Sequence, residues 1–498
     1  MRAGSSSARG STVVGDGPGS AGDPGATPPR GSGTRWTPVE ILPPLVLLAA
    51  GGTLVARGGG LWFDELFTAQ VSRLPLAEIL RAGVRGQATV PYLDGIPPSY
   101  NLPYYLLTHL WLRLPGTGSD ASLRLFTLLA AAVGVALLVR AVARIAGTPV
   151  GVLAGVAVAV NPLVVDQSVQ ARPYGLVLLA TGAAALGLAR WLDGARGGWA
   201  LLAVAGAGMG LAHWYAAPAL AGLVTAGVVL RPHRWRALLG AGVVAAAPVT
   251  ALVAMNLLNG NGSRNAGHVL DTGGALPLLA VRAWAGGAVP LLVVTVALAA
   301  VALLRSPRTA VLGAAWVAVP LLGLTAVEQV RPVYFPRYLL ASLLGLAVLA
   351  AVGALGTRLS RPLAAAAAAA LVLASAHAGL PQLERGPRER ADDVVADLAS
   401  RQLPGEPVVA VDHRGAVGLE RYVPLLAPRL SGDLVLAPDD APPGAERVWL
   451  VRNVHRGVVY PTDDDALLAA DGLRLVEEVR FAASTTTLAV QRWERWER

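Results

Sequence analysis

The sequence predicts a mainly α-helical, polytopic membrane protein: a bundle of about eleven transmembrane helices with a small C-terminal α/β domain. Of its 498 residues, 54% are hydrophobic and only 15% are charged, whereas a soluble domain is about one quarter charged. The mean hydropathy is +0.53. Long apolar runs fill the middle of the chain and stop near Pro381, after which charged residues become frequent.

The charge distribution narrows the class further. The net charge is +9, but the arginines lie between apolar runs instead of forming a patch. This pattern is typical of the positive-inside rule and not of nucleic-acid binding, so we expect a lipid bilayer and no nucleic acid as a partner. The chain has no cysteine, which excludes disulfides, thiolate catalysis and cysteine zinc sites.

Residues 1–36 are rich in Gly, Ser and Pro and lack hydrophobic periodicity, which predicts a disordered cytoplasmic tail. The membrane domain is predicted over 37–380, and its first span has no convincing signal-peptide cleavage site. Runs long enough to cross about 30 Å of hydrocarbon are 40–56, 122–140, 148–165, 173–190, 199–214, 216–231, 237–257, 276–304, 309–328, 338–356 and 362–379.

One shorter apolar run, Leu102–Leu114, decides the orientation. Its length and its Tyr104, Tyr105 and Trp111 are typical of a helix along the membrane surface. If this helix does not cross and the N-terminus is cytoplasmic, five arginine clusters lie on the cytoplasmic side. They are Arg140/Arg144, Arg190/Arg196, Arg231/Arg234/Arg236, Arg305/Arg308 and Arg358/Arg361.

The same topology places a set of polar residues together on the outer face. Acidic residues so close to a span are costly to desolvate and mark a site of polar chemistry, which predicts a functional cavity there. The set comprises Asp64, Glu65, Asp166, Gln170, Arg172, Tyr174, His213, Glu328, Arg331, Arg337 and Tyr338.

The predicted third domain, 381–498, follows on the outer face. Ala391–Leu398 has a helical pattern, and short β-rich runs surround it, which predicts a small extracytoplasmic α/β domain. The expected strands are Pro407–Val411, Arg447–Val451, Leu473–Phe481 and Thr485–Arg492.

Four stretches, in order and on one face, resemble the GT-C superfamily of membrane glycosyltransferases. The similarity is to family 39-like members, which include protein O-mannosyltransferases and aminoarabinose transferases, and it covers roughly residues 40–360. The stretches are Trp62-Phe63-Asp64-Glu65 with Thr68, Leu102-Pro103-Tyr104-Tyr105-Leu106-Leu107-Thr108-His109-Leu110-Trp111, Pro162 with Gln170-Ala171-Arg172-Pro173-Tyr174, and Pro336-Arg337-Tyr338-Leu339.

The resemblance implies a glycosyltransferase, inverting at the anomeric carbon, that moves a mannose or arabinose-like sugar from a polyprenyl-phosphate donor to a cell-envelope acceptor. Asp64 would be the general base and Glu65 would orient the acceptor or hold Asp64, although the two roles can be exchanged. Arginine binds phosphate in bidentate fashion, so the donor phosphate would be bound by Arg172 and Arg337 with Tyr174 and Tyr338. The substrate cavity would be lined by Trp62, Tyr104, Tyr105, His109, Asp166, Gln170 and His213.

Two departures from the family pattern affect these expectations. Relatives commonly place an acid where this chain has Gln170, and some use it to hold a divalent cation. If Mg²⁺ or Mn²⁺ binds here, Asp64 and Asp166 are the candidates. Relatives also often carry Asp-x-His-Pro-Pro before the Tyr-Tyr pair, where this chain has Pro98-Ser99-Tyr100-Asn101-Leu102. This difference affects the expected acceptor-binding side of the site, where Asp94 is a candidate to replace the missing acid.

Two alternative classes remain open from the sequence. A transporter or flippase for a lipid-linked or envelope substrate would also have many spans, but its charges and Gly/Pro breaks should lie near mid-span. A non-catalytic membrane scaffold would tolerate loss of Asp64, which a transferase would not.

Overall fold

The computed structural model describes residues 36–259, 270–436, 444–454, 468–469 and 472–496. The tail predicted over 1–36 therefore lies outside the described residues, apart from Trp36. From Pro38 onward the chain forms one compact unit. Its described part is mainly helical with one small C-terminal sheet, which confirms the predicted fold class.

The helices described up to residue 384 form the part of the chain that carries the long apolar runs. Their bounds are α1 Pro38–Ala56, α2 Phe63–Arg73, α3 Leu76–Arg85, α4 Leu102–Leu112, α5 Asp120–Ala146, α6 Thr148–Ala159, α7 Pro162–Ser168, α8 Tyr174–Leu192, α9 Gly197–Ala212, α10 Ala217–Leu230, α11 Trp235–Leu258, α12 Leu276–Trp284, α13 Val289–Arg305, α14 Pro307–Glu328, α15 Leu340–Leu355 and α16 Arg361–Glu384.

The predicted count of eleven spans is not confirmed. Among the described residues, seven helices are long and apolar enough to cross a membrane, or up to nine if each of two bent pairs counts as one span. The run 148–165 is broken between α6 and α7 by 66°, and the run 276–304 is broken between α12 and α13 by 110°. The apolar helices α9 and α10 have 16 and 14 residues, about 24 and 21 Å at 1.5 Å per residue.

The helix pair α5 and α8 packs with its backbones in direct contact. A Cβ atom on Gly182 would lie 2.1 Å from the carbonyl oxygen of Gly134, and one on Gly175 would lie 2.1 Å from that of Thr127. Small residues allow such close approach where apolar burial alone gives little driving force inside lipid. This contact fixes the start of α8, just after Arg172, against α5.

The C-terminal part is the predicted α/β fold. Helices α17 (Ala391–Arg401) and α18 (His413–Leu426) accompany strands β1 (Val408–Ala410), β2 (Leu434–Val435), β3 (Arg447–Val454), β4 (Leu473–Ala482) and β5 (Thr487–Arg495). The strand order is β2-β1-β3-β5-β4. Strand β1 runs parallel to β2 and β3, whereas β5 is antiparallel to β3 and β4. The sequence patterns predicted neither α18 nor β2.

This C-terminal fold shares a hydrophobic core with α2. Leu66 and Phe67 of α2 are buried in the same cluster as Val417 of α18 and Trp449 of β3. Burial of each such side chain is worth about 1.5–3 kcal/mol. The C-terminal sheet and α18 are therefore packed on the helix that begins at Phe63.

Candidate active site

Helix α2 presents the adjacent acids of the site in its first turn. The chain is extended at Trp62, and the Glu65 carboxylate turns back to accept a hydrogen bond from the Trp62 backbone N–H at 3.4 Å. Acidic side chains in the first turn also favour the positive end of the helix dipole. The helix therefore begins where the sequence places Asp64, and it points that side chain toward two arginines.

Asp64 joins two distant segments of the chain. Its Oδ2 lies 3.1 Å from Arg337 Nη2 and 3.7 Å from Arg172 Nε. Arg172 Nη1 also donates to the Asp64 carbonyl oxygen at 3.3 Å. The structure therefore brings together the predicted base and both predicted phosphate-binding arginines, in a site whose side chains are 5–18% exposed.

Glu65 has a different environment from its neighbour. It is 1% exposed, and Arg124 of α5 donates to both of its carboxylate oxygens, at 3.0 and 2.7 Å. The Ala171 backbone N–H donates to it at 2.8 Å. All of these contacts tie α2 to α5 and to the loop before α8. The role predicted for Glu65, to orient the acceptor or to hold Asp64, stays a prediction.

Aromatic side chains form the wall around the arginine pair. Arg172 Nη2 donates to Tyr100 Oη at 3.4 Å, and the Tyr105 hydroxyl donates to the same oxygen at 3.4 Å. Burial raises the pKa of the Tyr105 hydroxyl well above its ordinary value, so this group stays a neutral donor. The remaining members are Tyr174, His213, Tyr215 and Tyr338, whose ring centroids lie 4.6–5.8 Å apart in the contacting pairs.

Trp62 lies near two guanidinium groups. Arg337 is 5.4 Å and Arg388 is 5.1 Å from the centroid of its ring. Contacts of this kind between a cation and an aromatic face are worth about 0.5–2 kcal/mol. The predicted cavity residue Trp62 therefore holds positive charge beside Asp64.

Asp166 is also paired with arginine. Arg388 Nη2 lies 2.6 and 2.7 Å from its two carboxylate oxygens, and Arg385 lies 3.5 Å away. Gln170 Nε2 donates to the Asp166 carbonyl at 3.0 Å. The described residues contain no group of at least three His, Cys, Asp or Glu side chains able to hold a metal ion. Asp64 and Asp166, the two candidates for a Mg²⁺ or Mn²⁺ site, are both engaged by arginine, so these donors do not fit such a site.

One predicted cavity residue, His109, lies apart from the arginine pair. His109 Nδ1 contacts the carbonyl oxygen of Ser72 at 3.0 Å. Ser72 follows Asp64 by eight residues, which is about 12 Å along α2. His109 lines a separate cavity of about 340 Å³ with Arg73 and Arg113. Tyr104 is fully buried beside Tyr105, with ring centroids 5.8 Å apart.

Residue patterns missed several members of the site. Arg124 lies inside a predicted span, and Arg388 lies near the start of the predicted C-terminal domain, 222 residues from its partner Asp166. Tyr100 falls in the stretch where the chain departs from its relatives, and that departure was the available signal. Nothing local in the sequence marked Arg124 or Arg388.

Comparisons with known proteins identify one family model and two solved structures similar to this chain. A family model described as dolichyl-phosphate-mannose-protein mannosyltransferase matches residues 102–258. The crystal structure of ArnT from Cupriavidus metallidurans bound to undecaprenyl phosphate has a TM-score of 0.55 at 15% identity, covering 91% of this chain and 97% of that chain. Its apo state gives a TM-score of 0.52 at 15% identity with the same coverage. No curated protein matches the chain.

The comparisons confirm the predicted GT-C resemblance at the level of the fold. The ArnT match extends over the helical part and the C-terminal part, whereas the family model covers α4 to α11. The roles predicted for individual residues stay predictions.

Proposed function

We propose that this chain, whose fold is similar to that of ArnT, is an inverting membrane glycosyltransferase that uses a polyprenyl-phosphate-linked sugar and a cell-envelope acceptor. The observation that carries the proposal is Asp64 in contact with Arg337 and Arg172 at the start of α2. A carboxylate can take a proton, and a pair of arginines can hold a phosphate. Transfer from a phosphate-linked donor needs both groups at one place.

The two arginines are the proposed holders of the donor phosphate. The Nε atoms of Arg172 and Arg337 are buried without a hydrogen-bond partner among the described residues, so each guanidinium keeps donor capacity beyond its contact with Asp64. Arginine presents five N–H donors in a planar fork that matches phosphate oxygens. Undecaprenyl phosphate is bound in the ArnT structure, and a polyprenyl phosphate is the donor class that we propose for this chain.

Asp64 is the proposed base. The acceptor hydroxyl gives its proton to the Asp64 carboxylate while its oxygen forms the new bond to the anomeric carbon. The bond from that carbon to the phosphate oxygen breaks, and the polyprenyl phosphate leaves with the electron pair. The arginines stabilise the negative charge that develops on the leaving phosphate.

Donor binding and basicity are coupled in this arrangement. The Asp64 carboxylate and the donor phosphate compete for the guanidinium of Arg337. When the phosphate engages the arginines, their electrostatic hold on Asp64 weakens, and a weaker hold makes a carboxylate more basic. The base is therefore activated when the donor is in place.

The position of the arginine clusters supports an extracytoplasmic site. Arg140, near the end of α5, pairs with Glu40 at the start of α1, and Arg144 pairs with Asp193 after α8. Asp64 follows α1, and Arg172 precedes α8. The site therefore lies at the opposite end of these helices from Arg140 and Arg144, and the positive-inside rule assigns the arginine end to the cytoplasm.

The proposal can be tested in cells. In a strain deleted for this protein, lipids and envelope glycans should lose one sugar-modified species, which the wild-type chain restores and Asp64→Ala does not. Glu78→Ala, at an exposed acid of α3, is the matched control and should restore it. Full complementation by Asp64→Ala would instead favour a scaffold.

A further inference from the structure

A buried carboxylate reaches the start of α2 from the segment between α16 and α17. Glu389 is 0% exposed, and its Oε2 accepts a hydrogen bond from the Phe63 backbone N–H at 3.2 Å. Phe63 is the first residue of α2 and the immediate neighbour of Asp64. The Glu389 carboxylate therefore occupies one of the hydrogen-bonding positions that a helix start leaves open.

Glu389 is incompletely compensated for a buried charge. Its closest cation is Arg414, with Nη1 3.7 Å from Oε2, and its Oε1 has no hydrogen-bond partner among the described residues. Burying a carboxylate in this way costs stability. Such a cost is expected where the carboxylate serves the site and not the fold alone.

The neighbours of Glu389 hold further parts of the site. Arg388 pairs with Asp166, which precedes the loop of Arg172. From α18, the Tyr422 hydroxyl accepts the Leu61 backbone N–H at 2.6 Å and donates to Asp120 at 2.7 Å. The C-terminal part therefore contacts both chain segments that bring Asp64 and Arg172 together.

We infer that Glu389 is a positioning residue for Asp64, which it holds by accepting the Phe63 N–H and by placing a negative charge at the start of α2. The inference rests on the proposed function of Asp64. It assigns to the C-terminal part a direct role in the site: the segment 385–390 fixes the first turn of the helix that carries the base.

The ionisation of Glu389 gives this role a pH signature. Burial raises the pKa of Glu389 to about 7, Arg414 opposes the rise, and Asp412 and Asp64 add to it. These side chains and the Phe63 N–H are the groups that face it from α2 and the start of α18. Only the ionised form supplies the negative charge, so we expect turnover to rise through pH 7.

The same shift predicts the sign of a stability effect. A carboxyl whose pKa is raised in the folded state binds its proton more tightly there than in the unfolded chain. Its contribution to the free energy of unfolding therefore falls as pH rises from the ordinary carboxyl range to about 7. Glu389→Gln removes this fall, so its melting temperature relative to wild type should increase between pH 5 and pH 8.

The experiment compares Glu389→Gln and Glu389→Ala in the full-length protein. Gln keeps an oxygen acceptor for the Phe63 N–H but has no charge, whereas Ala keeps neither. We expect hydrogen exchange at the start of α2 to be about tenfold faster in the Ala variant, in line with the loss of a helix cap, and close to wild type in the Gln variant. In Glu389→Ala, turnover should fall about tenfold with little change in the KM for the donor. In Glu389→Gln, turnover should no longer rise through pH 7.

The matched control is Glu406→Gln. Glu406 also pairs with an arginine, Arg447, and accepts a backbone N–H, that of Leu403. Both contacts lie within the C-terminal fold. Glu406→Gln should leave the exchange of α2 and the pH profile unchanged. The inference would be overturned if Glu389→Ala had wild-type hydrogen exchange and turnover. It would also be overturned if the turnover of Glu389→Gln still rose through pH 7. If wild type itself transfers no sugar, the proposed function fails, while exchange still reports the contact with α2.

Discussion

At the scale of single residues, the adjacent acids of α2 differ in their partners. Asp64 faces Arg337 and Arg172 in a partly open site, with its side chain 18% exposed. Glu65 is enclosed with Arg124 and the Ala171 N–H. The sequence placed both acids at the site but left their roles exchangeable, because the partners that distinguish them lie 59 to 273 residues away.

Arg337 allows a direct test of donor binding. Arg337→Ala should weaken affinity for a polyprenyl-phosphate sugar by roughly 30- to 160-fold, since charge-assisted hydrogen bonds contribute about 2–3 kcal/mol. Arg337→Lys should recover only part of the loss, because lysine keeps the charge but not the planar fork. Donor affinity would be measured by titration of the purified protein in detergent.

Arg308→Ala, at an exposed arginine near the start of α14, is the control and should bind the donor as wild type does. Wild-type affinity in Arg337→Ala would return Arg337 to an anchoring role at the membrane interface.

At the scale of elements, the break between α6 and α7 positions the loop of Arg172. The buried Asn161 side chain accepts from the Leu163 and Val164 N–H groups at 3.0 and 3.3 Å, and its Nδ2 donates to the Trp284 carbonyl at 2.9 Å. It thus caps α7 and ties one bent helix pair to the other. Hydropathy alone reads 148–165 as one continuous span, because Val160 and Pro162 are themselves apolar.

Asn161 gives the prediction for this element. Asn161→Ala should lower the free energy of unfolding by about 1–2 kcal/mol through the lost cap and should reduce turnover by displacing the loop that follows. Asn161→Asp keeps the cap but loses the donor to Trp284. It should therefore retain the protection of α7 against hydrogen exchange while remaining less stable than wild type.

Thermal unfolding and hydrogen exchange of both variants provide the measurement. An Asn161→Ala variant with wild-type stability and turnover would mean that the bend is set by helix packing without the cap.

At the scale of the whole molecule, the sequence predicted the helical bundle, the α/β C-terminus and three residues of the site core, Asp64, Arg172 and Arg337. Hydropathy and arginine spacing carry the fold and the shared face locally, and the resemblance to the GT-C superfamily singled out the three residues. The sharing of a core between the C-terminal fold and α2 could not be predicted, because it depends on contacts such as Glu389 with Phe63, 326 residues apart. Neither residue is unusual in its own stretch.

The topology can be tested across the molecule. A reporter fused after His233, in the turn between α10 and α11, should lie in the cytoplasm, and one fused after Gly386, beyond α16, should lie outside. Accessibility of single engineered cysteines at the same positions in the otherwise cysteine-free full chain serves as the control for truncation. An external His233 would contradict the placement of the site on the outer face.

The most direct measurement of the central claim is turnover and donor affinity of purified Asp64→Asn beside Glu65→Gln. Asp64→Asn should lower turnover by roughly 10²- to 10⁴-fold, the usual worth of a general base. Its donor affinity should not fall, because the arginines no longer share their charge with a carboxylate. Glu65→Gln should chiefly lower the melting temperature, because it leaves the partly buried Arg124 without its carboxylate. Normal turnover in Asp64→Asn would contradict the account.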